Sequence, residues 1–129
     1  MTIAFEAIFP GTPLGVRAVR REMTGFANDC GMDAEGIAAV RLAVTEAATN
    51  VVMHAYADAH GELRVTAAIR DGELTIVIGD TGRGLVNPRD SPGLGAGLAI
   101  ISSVVQGLKI LSDARGTEIQ MAFPCPNAV

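Results

Sequence analysis

Apolar and polar positions along the chain fall into two alternating periodicities, one of strands and one of helices. Residues 2–9, TIAFEAIF, read as a strand that ends at Pro10 and Gly11. A helix is predicted next, with Thr12 as its N-cap and Pro13 at its first position, where a missing N–H costs nothing. Val16, Val19, Met23, Phe26 and Cys30 recur at spacings of three and four, which makes one apolar stripe, and Gly31 supplies the stop. Asp33 is the predicted N-cap of a second helix running to about Ala57, with Ile37, Val40, Val44, Ala47 and Val51 as its core stripe.

Beyond Gly61 the period changes to two. Leu63, Val65, Ala67 and Ile69 alternate with Arg64, Thr66, Ala68 and Arg70, the pattern of a half-buried strand. Asp71-Gly72 is a two-residue hairpin signal, and residues 73–79 form the returning strand. With two prolines and an Asn-Pro step, residues 85–92 read as a loop able to move. The glycine run at 93–97 then opens a helix over residues 98–106. A strand at 108–111, a turn at 113–116 and a last strand with Ile119, Met121 and Phe123 on one side complete the order. Hairpins beside clustered helices predict an α+β fold: a two-layer sandwich with a mixed, mostly antiparallel sheet and helices on one face. Nothing divides the chain, so residues 1–129 are expected to form one domain.

Composition narrows the function only a little. The chain is 49% apolar with five aromatic residues, so its core must be aliphatic. A net charge of −4 and the absence of a basic run argue against nucleic-acid binding. No signal-peptide pattern and no apolar run of membrane-spanning length is evident, which predicts a cytoplasmic protein without membrane contact. Cys30 and Cys125 form no CxxC pair and have no neighbouring His, so reduced thiols are expected rather than a metal site or a disulfide.

Candidate chemistry concentrates in three places. Glu46, Asn50 and His54 follow one another at i, i+4 spacing, so three polar groups share one face of the second helix. Turned inward, that face would need partners; at the helix edge it would be solvated. The second place is the run DTGRG at 80–84, where Asp80 ends a strand. Its carboxylate could take a hydrogen bond from an adenine amino group or cap its own turn through the amides of Gly82 or Arg83. The third is GLGAG at 93–97, whose amides at a helix start suit phosphate oxygens. It lacks the spacing of a P-loop or a dinucleotide fingerprint, and no lysine lies near it. Ser91, Ser102 and Ser103 have no nucleophile setting, and Arg83 and Arg89 read as solvated loop residues. The arginines at 17, 20 and 21 read as a solvated face, with a docking surface as the alternative.

Taken together, Glu46-x-x-x-Asn50, Asp80-x-Gly82-x-Gly84 and Gly93-x-Gly95-x-Gly97 resemble the GHKL ATPase superfamily. Within it, the run TEAATNVVMHAY at 45–56 and GTEIQMAF at 116–123 are similar to the bacterial anti-sigma-factor serine/threonine kinases. That resemblance implies ATP and Mg²⁺ as cofactors, with Asn50 as the metal ligand and Glu46 as general base. It assigns Asp80 to the adenine amino group, Thr117 to the adenine end, Gly82 and Gly84 to the chain beside the base, and Gly93, Gly95 and Gly97 to the phosphates. His54 is given no fixed role.

The function so implied is ATP-dependent phosphorylation of a Ser or Thr on a small STAS-domain anti-sigma antagonist, alternating with capture of a sigma factor. The alternative is a nucleotide-dependent binding switch, acting on a sigma-factor or phosphatase pathway, that transfers no phosphate. The kinase relatives are often dimers, which makes a homodimer one expected state. A histidine-kinase reading is disfavoured, because His54 and His60 do not lie where a phosphoacceptor would be.

Overall fold

The computed structural model describes residues 3–55, 61–80, 94–113 and 116–126. Eight elements follow in the order β1 (Ile3–Pro10), α1 (Pro13–Asp29), α2 (Ala34–Ala55), β2 (Glu62–Arg70), β3 (Glu73–Asp80), α3 (Leu94–Val104), β4 (Gly107–Asp113) and β5 (Gly116–Pro124). The strands make one five-stranded sheet in the order β1-β2-β3-β5-β4. Every pairing among the described residues is antiparallel, so the parallel component expected of a mixed sheet is not seen there.

Local chemistry sets the element ends. Thr12 accepts a hydrogen bond from Gly15 N at 3.2 Å, and Asp33 Oδ1 accepts one from Gly36 N at 2.7 Å, so both predicted N-caps are in place. At the other end of α1, Gly31 takes φ +85°. Its N–H bonds Asn28 O at 3.1 Å while Met32 N bonds Ala27 O at 3.1 Å, the paired bonds of a Schellman stop. Asp71 and Gly72 both have positive φ, 53° and 77°, as a type I′ hairpin requires.

One departure concerns α3. It begins at Leu94, so Gly95 and Gly97 lie inside its first turns rather than ahead of it. Packing against α2 outweighs the entropic cost of helical glycine. The helix ends at Val104, and Gln106 N bonds Ala122 O at 2.8 Å, which gives the predicted end of the helix to the sheet.

The core lies between the sheet and α2. Leu63, Val65, Leu74, Ile76, Ile78, Ile119, Met121 and Phe123 are buried on the sheet side. Val40, Ala43, Val44, Ala47, Ala48 and Val51 meet them from α2, and Val16, Val19, Met23 and Ala27 from α1. The small α2 residues let that helix lie close to the strands. Among the described residues α2 is also long and apolar enough to cross a membrane, which the reading of apolar runs missed; one face of it packs in this core. Phe5 on β1 meets Phe26 edge-on at 6.1 Å between ring centres, tying α1 to the sheet edge.

Cys30 and Cys125 are free thiols, and Cys125 Sγ donates to Cys30 O at 3.8 Å. Burial, with Cys125 and Asp29 nearby, pushes the Cys30 thiol pKa up. At pH 8 less of it is thiolate than in an unhindered cysteine, so alkylation of Cys30 by iodoacetamide, followed by peptide mass mapping, is expected to run several-fold slower than for the same peptide unfolded.

Two glycines of α1 give opposite expectations. A Cβ on Gly15 would run into Pro10 O, a backbone atom that cannot step aside, whereas one on Gly25 would meet nothing within 4 Å. Gly15→Ala is expected to cost about 3 kcal/mol or more, and Gly25→Ala to add up to about 1 kcal/mol. Urea denaturation of the two variants beside the parent chain measures both.

Candidate functional site

The three polar positions predicted to share a face of α2 separate by depth. Asn50 is buried, at 7% exposure, while Glu46 one turn earlier is half-buried at the helix edge. The backbone of His54 continues the helix; its side chain lies outside the described residues, as do Tyr56 and Ala57. Asn50 therefore belongs to the interior and Glu46 to its rim.

Asn50 sits against the start of α3. A Cβ at Gly97 would lie 2.7 Å from Asn50 Nδ2 and 2.9 Å from Oδ1, closer than carbon can approach either atom. Only glycine at 97 lets this turn of helix rest on the amide. Asn50 Nδ2 is buried and has no hydrogen-bond partner among the described residues. A buried amide N–H without an acceptor costs about 1–3 kcal/mol. Beside it, the first four N–H groups of α3 are those that helical geometry leaves without an i−4 carbonyl. A buried amide donor and a helix N-terminus thus come together where an anion would satisfy both.

A second pair forms on the sheet. Asp80 ends β3 on the helix-facing side, in line with the buried Leu74, Ile76 and Ile78, and is 9% exposed. Its Oδ2 accepts from Thr117 N at 2.8 Å, across to β5. Thr117 itself is 2% exposed. This bond to the neighbouring strand is a partner that neither sequence reading of Asp80 anticipated.

Gly116 is the site residue that sequence reasoning passed over as a turn position. It has φ +146°, and a Cβ there would lie 2.8 Å from Asp80 O and 3.1 Å from Asp80 Oδ1. Its lack of a side chain lets β5 begin directly beside the carboxylate. The signal in the sequence was its place at the head of the run GTEIQMAF, immediately before Thr117.

Asn50 with Gly97, and Asp80 with Thr117, are therefore two contacts between elements far apart in the chain. They are held in common by α2, which packs on β3, β5 and α3. Gly95 lies in the first turn of α3. Gly82, Gly84 and Gly93, the loop 85–92, Arg83, Arg89 and Ser91 lie outside the described residues. Ser102 and Ser103 donate to Ala99 O and Ile100 O in their own helix, at 3.1 and 2.6 Å, and take no part.

Comparison with known proteins identifies the family and the fold. Residues 9–123 match the family described as the histidine kinase-like ATPase domain. The serine-protein kinase RsbW of Bacillus cereus is 30% identical, over 92% of this chain and 83% of its own length. Among solved structures, the RsbU and RsbW domains of a Mycobacterium tuberculosis protein superpose with TM-score 0.76 at 26% identity. That match covers 95% of this chain and 32% of the larger protein. The histidine kinase domain of a blue-light activated kinase from Erythrobacter litoralis shares the fold, with TM-score 0.60 at 19% identity, over 92% of this chain and 63% of that one. The chain belongs to the histidine kinase-like ATPase domain family, in the group of the serine-protein kinases RsbW.

Proposed function

We propose that this chain is an ATP-dependent serine/threonine protein kinase that also acts as an anti-sigma regulatory factor. The observation that carries the reading is the buried Asn50 amide, with its unpartnered Nδ2, pressed on Gly97 at the start of α3. That arrangement costs stability unless a ligand completes it.

In this reading Asn50 would hold Mg²⁺ through Oδ1. One protein oxygen is enough for an ion that keeps waters and takes its other ligands from phosphates. Gly95 and Gly97 would bring backbone N–H groups to the phosphates at the start of α3, and the resemblance assigns Gly93 to the phosphates as well. Asp80 would accept a hydrogen bond from the adenine amino group, with Thr117 at the same end, and the resemblance assigns Gly82 and Gly84 to that end as well. MgATP supplies an electrophilic γ-phosphorus and neutralises charge on the phosphate oxygens. Glu46, one turn before Asn50 and about 6 Å from it along the helix axis, takes the proton of the acceptor hydroxyl. As it does so, the new O–P bond forms and the bond to the ADP oxygen breaks. The edge position of Glu46 suits this role, because the acceptor residue must arrive from outside.

The acceptor is a Ser or Thr of a STAS-type antagonist and the second partner a sigma factor. The likeness to RsbW proteins supports that assignment. Two free thiols fit a reducing cytoplasm.

Incubating the protein with MgATP and a candidate antagonist, then weighing the intact partner, tests the kinase. One added phosphoryl group is expected with the parent chain. Glu46→Gln is expected to slow its appearance by about 10²–10⁴-fold, and Asn50→Ala to abolish it. A partner that binds only with MgATP and keeps its mass would replace the kinase with a nucleotide-gated switch.

Nucleotide binding is a separate readout. Gly97→Ala puts a methyl group into the Asn50 amide and is expected to lower ATP affinity at least tenfold by titration calorimetry. Asp80→Asn, which retains an acceptor oxygen but exchanges the other for a donor, should weaken ATP more than inorganic triphosphate. Equal losses for both ligands would remove Asp80 from the adenine end.

A further inference from the structure

The chain has two cysteines, 95 positions apart, and the fold brings them together at the end of the sheet away from Asp80. Cys30 is the C-cap of α1, where its N–H bonds Phe26 O at 3.0 Å. Cys125 follows the last residue of β5 and is tied to the β2–β3 hairpin by its N–H bond to Gly72 O at 2.7 Å. Its thiol points at residue 30, donating to the carbonyl oxygen at 3.8 Å. A carbonyl oxygen lies about 2.4 Å from the Cα of its own residue, so the Cys125 sulfur is within about 6 Å of the Cys30 Cα. That is a reach over which side-chain rotation and a small backbone shift join two cysteines.

The two thiols differ in access. Cys30 is partly exposed, whereas Cys125 is 1% exposed. A small oxidant therefore meets Cys30 from solvent, while a cysteine of another chain is kept away from Cys125. Against Cys125 lies a cavity of about 330 Å³, walled by Gly31, Met32, Val104 and Phe123. The space gives its side chain room to turn. Whatever forms on the Cys30 sulfur has Cys125 of the same chain as its nearest thiol.

We infer that Cys30 and Cys125 are a reversible thiol pair, which a hydroperoxide closes into an intramolecular disulfide that clamps the α1–α2 junction to the end of β5. The Cys30 sulfur, as thiolate, attacks one oxygen of the peroxide. The O–O bond breaks, the departing hydroxide takes up the proton the thiol gave, and Cys30 becomes a sulfenic acid. Cys125 loses its proton and attacks the Cys30 sulfur; the S–O bond breaks and a second water leaves. Two thiols and one peroxide give one disulfide and two waters, with two electrons passing from sulfur to oxygen. A small dithiol reopens the bond by exchange. Burial favours the protonated Cys30 thiol, so the first step is slow and the second, within one molecule, is fast: proximity rather than nucleophilicity selects the product.

The bond would join the start of α2 to the end of β5, two elements whose other ends carry Asn50 and Thr117. Because it closes a loop of most of the chain, it restricts the unfolded state far more than the folded one. Oxidation thus hardens the fold from the end opposite the candidate site.

Hydrogen peroxide applied to the reduced full chain tests this, with and without dimedone to trap sulfenic acid. Remaining thiols are then alkylated, and the products are read by intact mass and peptide mapping. The parent is expected to lose two hydrogens, to yield a peptide joining residues 30 and 125, and to regain both thiols with dithiothreitol. Cys125→Ala removes the second sulfur and should carry several-fold more dimedone on Cys30 than the parent does. Cys30→Ser should leave Cys125 unoxidised. The linked parent should unfold at a higher urea concentration than the reduced parent. Cys30 driven to sulfinic acid while Cys125 stays a thiol overturns the inference, as does a covalent dimer through Cys30. Dimedone labelling as heavy in the parent as in Cys125→Ala, or a urea midpoint that the link does not raise, overturns it too.

Discussion

The contact between Gly97 and the side-chain amide of Asn50 sets how closely α3 approaches α2, and the geometry of the site follows from it. Side-chain volume at 97 is the controlled variable: a single methyl group would force the helices apart or turn the amide away. The contact also buries a polar group without giving Nδ2 an acceptor. A protein optimised for stability alone would place an apolar residue at position 50. The retained amide is a local loss of stability that a ligand can recover on binding.

The sheet supplies the second half by different means. Asp80 and Thr117 are fixed by strand register, and their hydrogen bond spans two adjacent strands at one end of the sheet. Register is strongly determined here because a slip of one residue would turn Ile76, Ile78, Ile119 and Met121 out of the core. The hydrophobic core thus positions the carboxylate to within the tolerance of the strands. Helix packing positions the amide. Because α2 lies on both β3 and β5, neither half can shift without disturbing the same core.

Much of this was legible in the sequence wherever a signal acts locally. Thr12 and Asp33 cap helices because their side chains reach amides three residues on, and Gly31 and Asp71-Gly72 adopt backbone angles that few residues tolerate. Period alone placed the strands and the stripe of α2. What could not be read was whatever depends on a neighbour distant in sequence. Glu46 and Asn50 have equivalent positions in the helical pattern, and only the arrival of α3 makes one interior and the other marginal. The start of α3 was set too late because glycine propensity argues against helix, and packing on α2 overrides it. Gly116 looked like any turn glycine until Asp80, from another strand, came to lie beside it. The membrane-like composition of α2 likewise has meaning only once its burial is known.

The sheet order has a consequence for how the chain comes into being on the ribosome. β5, the last strand in sequence, is inserted between β3 and β4 rather than added at an edge. While the nascent chain is still short of residue 116, β1, β2 and β3 can pair, but β3 presents an open, apolar edge in what will become the middle of the sheet. Such an edge is prone to pair with other chains. Closing it also supplies Thr117 N to Asp80, so the adenine end of the proposed pocket is assembled only when synthesis has passed the final strand. A chain in which β5 has not yet paired therefore exposes an unfinished, aggregation-competent sheet.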